Sequence, residues 1–195
     1  MKLDRQALIR SAPYALFIIF MLAFNLIIFA VPILSFSDYE GMQPVYQIFG
    51  LSCHQLTSRS LCIFKSASGY RTDDCYSQQG VLVPSKENQA VRDGSIGYKI
   101  PVCARDVAIY LAMLAGGLLF LLFFKPDTVK FPNKWLLAIA IIPIAIDGTT
   151  QLLGMQESTN SMRLLTGAIA GFAIPFYLIP MLNAIVQRIM PKAKK

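Results

Sequence analysis

Four long apolar runs are the main feature of the pattern of hydrophobic and polar residues along the chain. They are Tyr14–Leu34, Val107–Phe124, Trp135–Gly154 and Leu164–Val186. A helix needs about 20 mostly apolar residues to cross the hydrocarbon layer of a bilayer. The pattern therefore predicts four transmembrane helices. The first run is too long for the apolar core of a secretory signal and no clear small-x-small cleavage motif follows it, so we expect it to remain as an anchor.

The segment between the first two runs has a different pattern. From Ser35 to Leu51 apolar residues recur with loose helical spacing, which is typical of an amphipathic helix at the membrane interface. From Thr57 to Ile100 the chain is polar and contains several glycines, and it has room for short strands at Gly80–Val83 and Ile96–Val102 that could pair as a hairpin. A segment of this length builds little core of its own, so we expect it to rest on the membrane helices.

Composition supports the membrane assignment. Hydrophobic residues make up 55% of the 195 residues and charged residues only 15%, whereas a soluble domain has about 25% charged residues. The mean hydropathy is +0.52. These values exclude an ordinary soluble globule, and neither a collagen period nor a coiled-coil heptad is present.

The net charge of +7 predicts an orientation rather than a nucleic-acid partner. Ten of the 18 lysines and arginines lie in three short segments on the side of the two termini, whereas eight are spread over 35–106 and the Met155–Arg163 turn. By the positive-inside rule both termini are cytoplasmic and 35–106 is extracytoplasmic. We therefore expect a multi-pass protein of the cell membrane, in contact with the lipid bilayer. An outer-leaflet lipid and other membrane subunits are the further candidate partners.

All four cysteines lie in this extracytoplasmic segment, where disulfides are stable. Four cysteines allow three connectivities. We favour Cys62 with Cys75, which closes a local loop, and Cys53 with Cys103, which ties the segment to the start of the second membrane helix. The alternative is a metal site of Cys53, His54 and Cys103, which we favour less because no Cys-x-x-Cys spacing is present. The prediction is therefore two disulfides, no metal and no cofactor.

These arguments predict an all-α membrane protein with four transmembrane helices and an extracytoplasmic, disulfide-stapled loop with room for a short β-hairpin. The chain divides into three regions. They are residues 1–34 (the cytoplasmic N-terminus and helix 1), 35–106 (the extracytoplasmic loop) and 107–195 (helices 2 to 4 and the cytoplasmic tail).

Asp147 is the most informative single residue, because it lies inside an apolar run. It is 12 positions past Trp135, which places it about 18 Å into a layer roughly 30 Å thick. A carboxylate there costs about 2.5 to 3.5 kcal/mol unless it has a partner. Gln151 lies one turn later on the same face. Arg105 and Arg163, both near the outer ends of helices, are the candidate partners.

Other polar residues gather at the same ends of helices 2 to 4. The candidate ligand-binding residues are Arg105, Asp106, Gln151, Asn160 and Arg163, and the candidate catalytic residues are Asp147, Glu157 and His54. In this interpretation the two arginines hold a phosphate and Asp147 or Glu157 accepts a proton. The structural alternative is an ion pair that locks the bundle. A lone histidine such as His54 is more often an interfacial residue than a catalyst.

Some residues are better explained by helix structure than by chemistry. Ser158 or Thr159 is the expected N-cap of the last helix. Gly167 and Gly171 form a small-xxx-small face that we assign to packing within the chain. Asn25 is expected to donate a hydrogen bond to a neighbouring helix.

Several motifs together resemble those of a known family. They are Cys53-His54-Gln55 with Arg59-Ser60, then Pro101-Val102-Cys103-Ala104-Arg105-Asp106, then Asp147-Gly148-x-Thr150-Gln151 and Glu157-Ser158-Thr159-Asn160-x-x-Arg163. The pattern resembles a family of small predicted multi-pass membrane proteins of archaea and bacteria that is classed as a domain of unknown function. The resemblance covers roughly Cys53 to Gly171, and this chain differs in a long insertion that contains Cys62 and Cys75. It implies a four-helix membrane fold with a polar outer cluster and implies no activity.

Two functions remain open from the sequence. The polar cluster could bind or modify a polar or anionic lipid headgroup, or the chain could be a non-enzymatic accessory or assembly subunit of a larger membrane complex. A proton path through Asp147 is less favoured, because helices 1 and 2 supply no charged residues to continue it. Zinc-hydrolase, nucleophile-elbow, P-loop and dinucleotide motifs are absent, so the sequence does not decide whether the chain is an enzyme.

Overall fold

The computed structural model describes residues 5–51, 56–66, 69–75, 81–82, 88–92 and 94–189. Its helices are α1 (Arg5–Leu34), α2 (Tyr39–Gly50), α3 (Ala104–Phe123), α4 (Lys134–Leu152), α5 (Asn160–Ala173) and α6 (Pro175–Ile189), with a 3-10 turn at Thr57–Arg59. Its strands are β1 (Ser60–Ser66), β2 (Gly69–Asp74), β3 (Val81–Leu82), β4 (Gln89–Arg92) and β5 (Ser95–Cys103).

Four helical stretches are long and apolar enough to cross a membrane, which confirms the predicted number of spans within the described residues. The fourth stretch, Asn160–Ile189, consists of α5 and α6. It divides at Ile174 because Pro175 has no N–H to donate to the preceding turn. It begins four residues before the predicted Leu164, since the Thr159 side chain caps it by accepting a hydrogen bond from the Met162 N–H (3.3 Å).

The predicted amphipathic helix after the first span is confirmed as α2. The Asp38 carboxylate caps this helix by accepting a hydrogen bond from the Gly41 N–H (2.9 Å). Tyr39 and Tyr46 face inward and are buried, whereas Ile48 is exposed. The helix therefore presents one apolar face to the protein and leaves other apolar residues on its surface.

The segment before α3 forms a larger sheet than the predicted hairpin. Five antiparallel strands lie in the order β2-β1-β5-β4-β3. The strand predicted at Ile96–Val102 is confirmed as part of β5, and the strand predicted at Gly80–Val83 corresponds to β3. These two strands are not paired with each other, because β4 lies between them.

The two faces of the sheet pack against different neighbours. Leu61 and Ile63 of β1 lie in one core with Ile28 of α1 and Val107 of α3. Phe64, the next residue along β1, lies on the opposite face in a small core with Cys62, Cys75 and Ala90. Side chains of a strand alternate between faces, so β1 joins the sheet to the helices while it contributes to a second core.

The predicted Cys62–Cys75 disulfide is present and joins β1 to the residue that follows β2, with the two Cα atoms 4.9 Å apart. It lies in the small core on the face of the sheet that is turned away from the helices. This bridge supports the sheet where a core of so few residues would be weak.

Glycines allow α3 and α5 to approach closely, as predicted for Gly167 and Gly171. A Cβ atom at Gly167 would lie 2.6 Å from the Arg105 carbonyl oxygen, and one at Gly116 would lie 2.5 Å from the Phe172 carbonyl oxygen. Gly171 meets the backbone of Ile109 in the same way. The predicted interhelical hydrogen bond of Asn25 is also confirmed, because its amide donates to the Tyr110 carbonyl of α3 (3.2 Å).

Helix α4 lies at the edge of the bundle. Asp147 is the only residue of this helix that is buried, and long aliphatic side chains such as Ile139, Ile142 and Ile146 are more than half exposed. The helix is therefore held to the rest of the protein mainly through α5 and through its one carboxylate.

Candidate functional site

Asp147 forms an ion pair with Arg105 that joins α4 to the first turn of α3. Its side chain is 5% exposed and that of Arg105 is 22% exposed. The Arg105 Nη2 donates directly to the carboxylate, and the Ser158 side chain lies near it. The sequence predicted Arg105 as one of two candidate partners, and the structure places it in direct contact.

Arg163 is the other candidate partner, and it is almost completely enclosed, with 2% of its surface exposed. Its Nη1 donates to the Asn160 side-chain oxygen (3.0 Å) and to the Ser58 carbonyl oxygen (3.4 Å). Asp147 is near enough for the two charges to attract each other. Arg163 therefore lies near the Arg105–Asp147 pair and also contacts Ser58, in the segment that leads into the sheet.

Gln151 bridges two arginines from different parts of the chain. Its amide oxygen, in the orientation that its neighbours require, accepts hydrogen bonds from Arg59 at 2.9 and 3.1 Å and from Arg163 Nη2 at 2.9 Å. Because Gln151 lies one turn beyond Asp147, α4 presents an acceptor and a carboxylate side by side. We call the seven residues Arg59, Arg105, Asp147, Gln151, Ser158, Asn160 and Arg163 the polar site.

Asn160 connects the polar site to the sheet. Its amide nitrogen donates to Asp74 Oδ1 (3.0 Å) and to the Ser60 carbonyl oxygen (3.4 Å). The same carbonyl accepts the Cys75 N–H (3.1 Å). The disulfide end of the sheet is therefore tied to the N-terminus of α5 through one buried asparagine.

Two donors of the polar site have no acceptor within the described residues. They are the Nε atoms of Arg105 and Arg163, and both are buried. Buried donors are paired in most proteins, so each such atom calls for an explanation. The positive charge is also in excess, since three guanidinium groups surround one buried carboxylate.

A glycine of α5, Gly167, makes room for the Arg105 backbone. Gly167 brings α5 against the Arg105 backbone, so that Arg163, one helical turn earlier, lies beside the first turn of α3. A Cβ atom at Gly148 would only reach van der Waals distance of Arg105 Nη1 (3.9 Å). A small residue is therefore needed at Gly167, where α5 meets the first turn of α3, but not at Gly148.

The structure gathers five of the predicted site residues, namely Arg105, Asp147, Gln151, Asn160 and Arg163. Glu157 is exposed and acts on Arg163 only through its charge. Asp106 instead accepts a hydrogen bond from Cys103 Sγ at its Oδ2 (3.0 Å).

The predictions that involve Cys53 and His54 lie outside the described residues. They are the Cys53–Cys103 disulfide, the alternative metal site and the catalytic role of His54. Among the residues that are described, no group of three or more histidine, cysteine or acidic side chains is arranged to hold a metal ion.

Sequence reasoning missed two residues of the polar site. Arg59, four residues after Gln55, lies in a segment that the sequence predicts to be a polar loop, and the sequence predicts Ser158 as a candidate helix cap. The signal for Arg59 was its place in the motif that carries the family resemblance. The cap is Thr159, whereas the Ser158 hydroxyl donates to the Thr159 carbonyl oxygen (3.3 Å) and lies near Asp147.

Comparison with known proteins identifies relatives over most of the chain. An uncharacterised protein of Methanocaldococcus jannaschii is 34% identical over 181 residues, which are 90% of this chain and 96% of the relative. An uncharacterised protein of Methanothermobacter thermautotrophicus is 38% identical over 80 residues, which are 40% of this chain and 68% of that protein. No solved structure matches the chain.

A family model described as "Predicted membrane protein (DUF2085)" matches residues 95–177. This range begins in β5 and extends into α6, so it contains every residue of the polar site except Arg59. The predicted membership of a membrane-protein family classed as a domain of unknown function is thereby confirmed. With a relative aligned over nearly its whole length, the chain belongs to this family of predicted membrane proteins.

Proposed function

We propose that the polar site binds the anionic headgroup of a membrane lipid. The observation that carries this proposal is the pair of buried Nε donors on Arg105 and Arg163, which have no acceptor within the described residues. A phosphate oxygen would supply the missing acceptor. Guanidinium groups bind phosphate through two parallel hydrogen bonds, one of which commonly uses Nε.

The charge of the site favours an anion. Arg59, Arg105 and Arg163 face a single buried carboxylate, Asp147. Like charges held together out of water repel each other, and a bound anion relieves that repulsion. Asp147 would then orient Arg105, and the exposed Glu157 would be the carboxylate that accepts a proton where a headgroup is modified.

The surroundings of the site favour a lipid over a soluble anion. Leu152, the last residue of α4, and Leu153 and Met155, in the turn that follows, are 86%, 72% and 73% exposed. They lie within a few residues of Gln151 and Ser158. Such exposed apolar side chains next to the polar site are compatible with contact to lipid. The sheet is attached to the polar site through Asn160.

A second candidate function is that of an accessory or assembly subunit without a ligand. Its support is that Asn160 and Arg163 use their hydrogen bonds to attach Ser58, Ser60 and Asp74 to α5. In this interpretation the polar site only fixes the sheet on the bundle.

Thermal unfolding of the purified full chain in detergent distinguishes the two candidates. Phosphatidylglycerol should raise the Tm of the native protein more than phosphatidylcholine with the same chains. Arg163→Gln should weaken the binding about tenfold or more, because one charged hydrogen bond is worth about 1.5 to 3 kcal/mol. Asp147→Asn should leave the protein folded but abolish the lipid response, since Arg105 loses the carboxylate that orients it. Arg71→Gln, an exposed arginine of β2, is the matched control.

Three results would contradict the lipid proposal. One is an equal Tm shift with both lipids in the native protein, and another is the same lipid response in Arg163→Gln and Arg71→Gln. Stabilisation by inorganic phosphate alone, with no further effect of the lipid, would identify a soluble anion instead. If Arg105→Gln unfolds and the double change Arg105→Met with Asp147→Leu restores stability without any lipid response, the subunit function is favoured.

A further inference from the structure

An apolar groove lies at the end of the bundle that is opposite to the sheet. It encloses about 520 Å³ between the end of α3, the start of α4 and the junction of α5 and α6. Its walls include Phe123, Phe124, Leu136, Phe172, Ala173 and Phe176. All of these residues except Phe124 belong to the candidate membrane-spanning helices, so we expect the groove to open into the hydrocarbon layer.

The loop between α3 and α4, which borders the groove at Phe124 and Pro132, is held by side chains of α6. Asn183 donates to the carbonyl oxygens of Pro126 (2.9 Å) and Thr128 (2.8 Å), and Gln187 donates to that of Asp127 (2.8 Å). The Tyr177 hydroxyl, which lines the groove, donates to the Asn133 carbonyl oxygen (2.7 Å). The loop between α3 and α4 is thereby fixed in place, and the groove is preformed.

Positive charge borders this groove. The segment from Lys125 to Lys134 contains three lysines and one acidic residue, Asp127. Lys125, Lys130 and Lys134 are all exposed. Lys125 follows the groove residue Phe124, and Lys134 lies two positions before Leu136. The lysines therefore lie next to the apolar groove along the chain, at the ends of the helices that form it.

We propose that this groove binds one phospholipid with an anionic headgroup, with an acyl chain between α3, α4 and the α5–α6 junction and the headgroup at Lys125, Lys130 and Lys134. The apolar lining suits an acyl chain, and the volume is in the usual range of ligand sites, about 300 to 1,000 Å³. The lysines provide the complementary charge, as basic residues at a membrane surface do for anionic lipids. This site is separate from the polar site and does not depend on it.

Photo-crosslinking of the full chain in nanodiscs tests the proposal. The probes are a phosphatidylglycerol and a phosphatidylcholine that carry the same photoreactive group in the same acyl chain. We expect adducts on the peptides of Phe172–Tyr177 and Leu136, on the order of tenfold more with phosphatidylglycerol. When all three lysines are changed to glutamine, the adduct yield with phosphatidylglycerol should fall to the yield with phosphatidylcholine.

A second variant tests the cavity itself. Ala173→Phe fills the groove and should abolish the adducts, whereas Ala115→Phe, on an exposed position of α3, should leave them unchanged. Arg163→Gln at the polar site should also leave the adducts unchanged. The groove proposal is therefore tested independently of the polar-site proposal.

Equal labelling by the two probes would overturn the proposal, as would adducts that persist in Ala173→Phe. If Ala173→Phe does not fold, the lysine variant decides alone. Crosslinks to a second copy of the chain at these residues, in place of lipid, would assign the groove to a dimer and also reject it.

Discussion

Tyr46 is a buried residue of α2 whose hydroxyl donates to the Lys99 carbonyl oxygen (2.7 Å). Burial raises its pKa above the usual value of 10, and the neighbouring Tyr39 and Tyr98 raise it further. Above about pH 10 the unfolded chain releases this proton and the folded chain keeps it. The folded state is therefore fully stabilised below pH 10 and loses stability as the pH rises above it.

We predict that Tyr46→Phe makes stability less sensitive to alkaline pH. At neutral pH the variant should be about 1 kcal/mol less stable, because the hydrogen bond to Lys99 is lost. Above about pH 10 its Tm should fall less steeply than that of the native protein. Thermal unfolding in detergent from neutral to alkaline pH measures this difference. Tyr70→Phe, at an exposed position, should retain the native slope, and an unchanged slope in Tyr46→Phe would refute the assignment.

The sequence was sufficient to predict that Asp147 is buried with an arginine, but not to choose the arginine. Helix periodicity placed Asp147 and Gln151 on one face, and the cost of an unpaired charge required a partner. Arg105 and Arg163 were equivalent in that argument. Their distinction depends on how closely α3 and α5 approach, and the glycine contacts that decide it appear only in three dimensions.

At the scale of the elements, the contact of α3 with α5 positions most of the polar site. It depends on Gly171, whose missing side chain leaves space for the Ile109 backbone. We predict that Gly171→Ala lowers the free energy of unfolding by about 1 to 3 kcal/mol, as overpacking does. Gly148→Ala is the matched control, because its Cβ atom meets only Arg105 Nη1 at 3.9 Å.

A glycine in a helix normally costs up to about 1 kcal/mol relative to alanine. Gly148→Ala should therefore leave stability unchanged or raise it. Denaturant unfolding in detergent compares the two variants. The packing argument would be wrong if both substitutions had the same effect.

The elements differ in how well the sequence predicted them. The four spans follow from apolar length alone, so their number was predicted correctly. The sheet was underestimated because β1 has no simple alternation of apolar and polar residues. Its first five residues are all buried, since one face packs on the helices and the other on the disulfide core. β2 is mostly exposed and so carried no hydrophobic signal.

At the scale of the whole molecule, the orientation in the membrane is still a prediction. The positive-inside rule places both termini in the cytoplasm and the sheet outside. An epitope inserted after Gly94, in the turn between β4 and β5, should be accessible on intact cells, whereas tags at either terminus should be protected. The opposite pattern would show that the sheet is cytoplasmic. The disulfides could then no longer be explained by an oxidising extracytoplasmic compartment.

The ion pair between α3 and α4 has a consequence for how the chain enters the membrane. The two helices are consecutive spans, joined by the short loop from Phe124 to Asn133. Asp147 entering alone would meet the insertion cost of a charged residue in the hydrocarbon layer. If α3 and α4 leave the translocation machinery together as a helical hairpin, Arg105 and Asp147 cross as a neutral pair. We therefore expect biogenesis to treat these two helices as one insertion unit, with α4 remaining at the edge of the bundle after α5 has packed on α3.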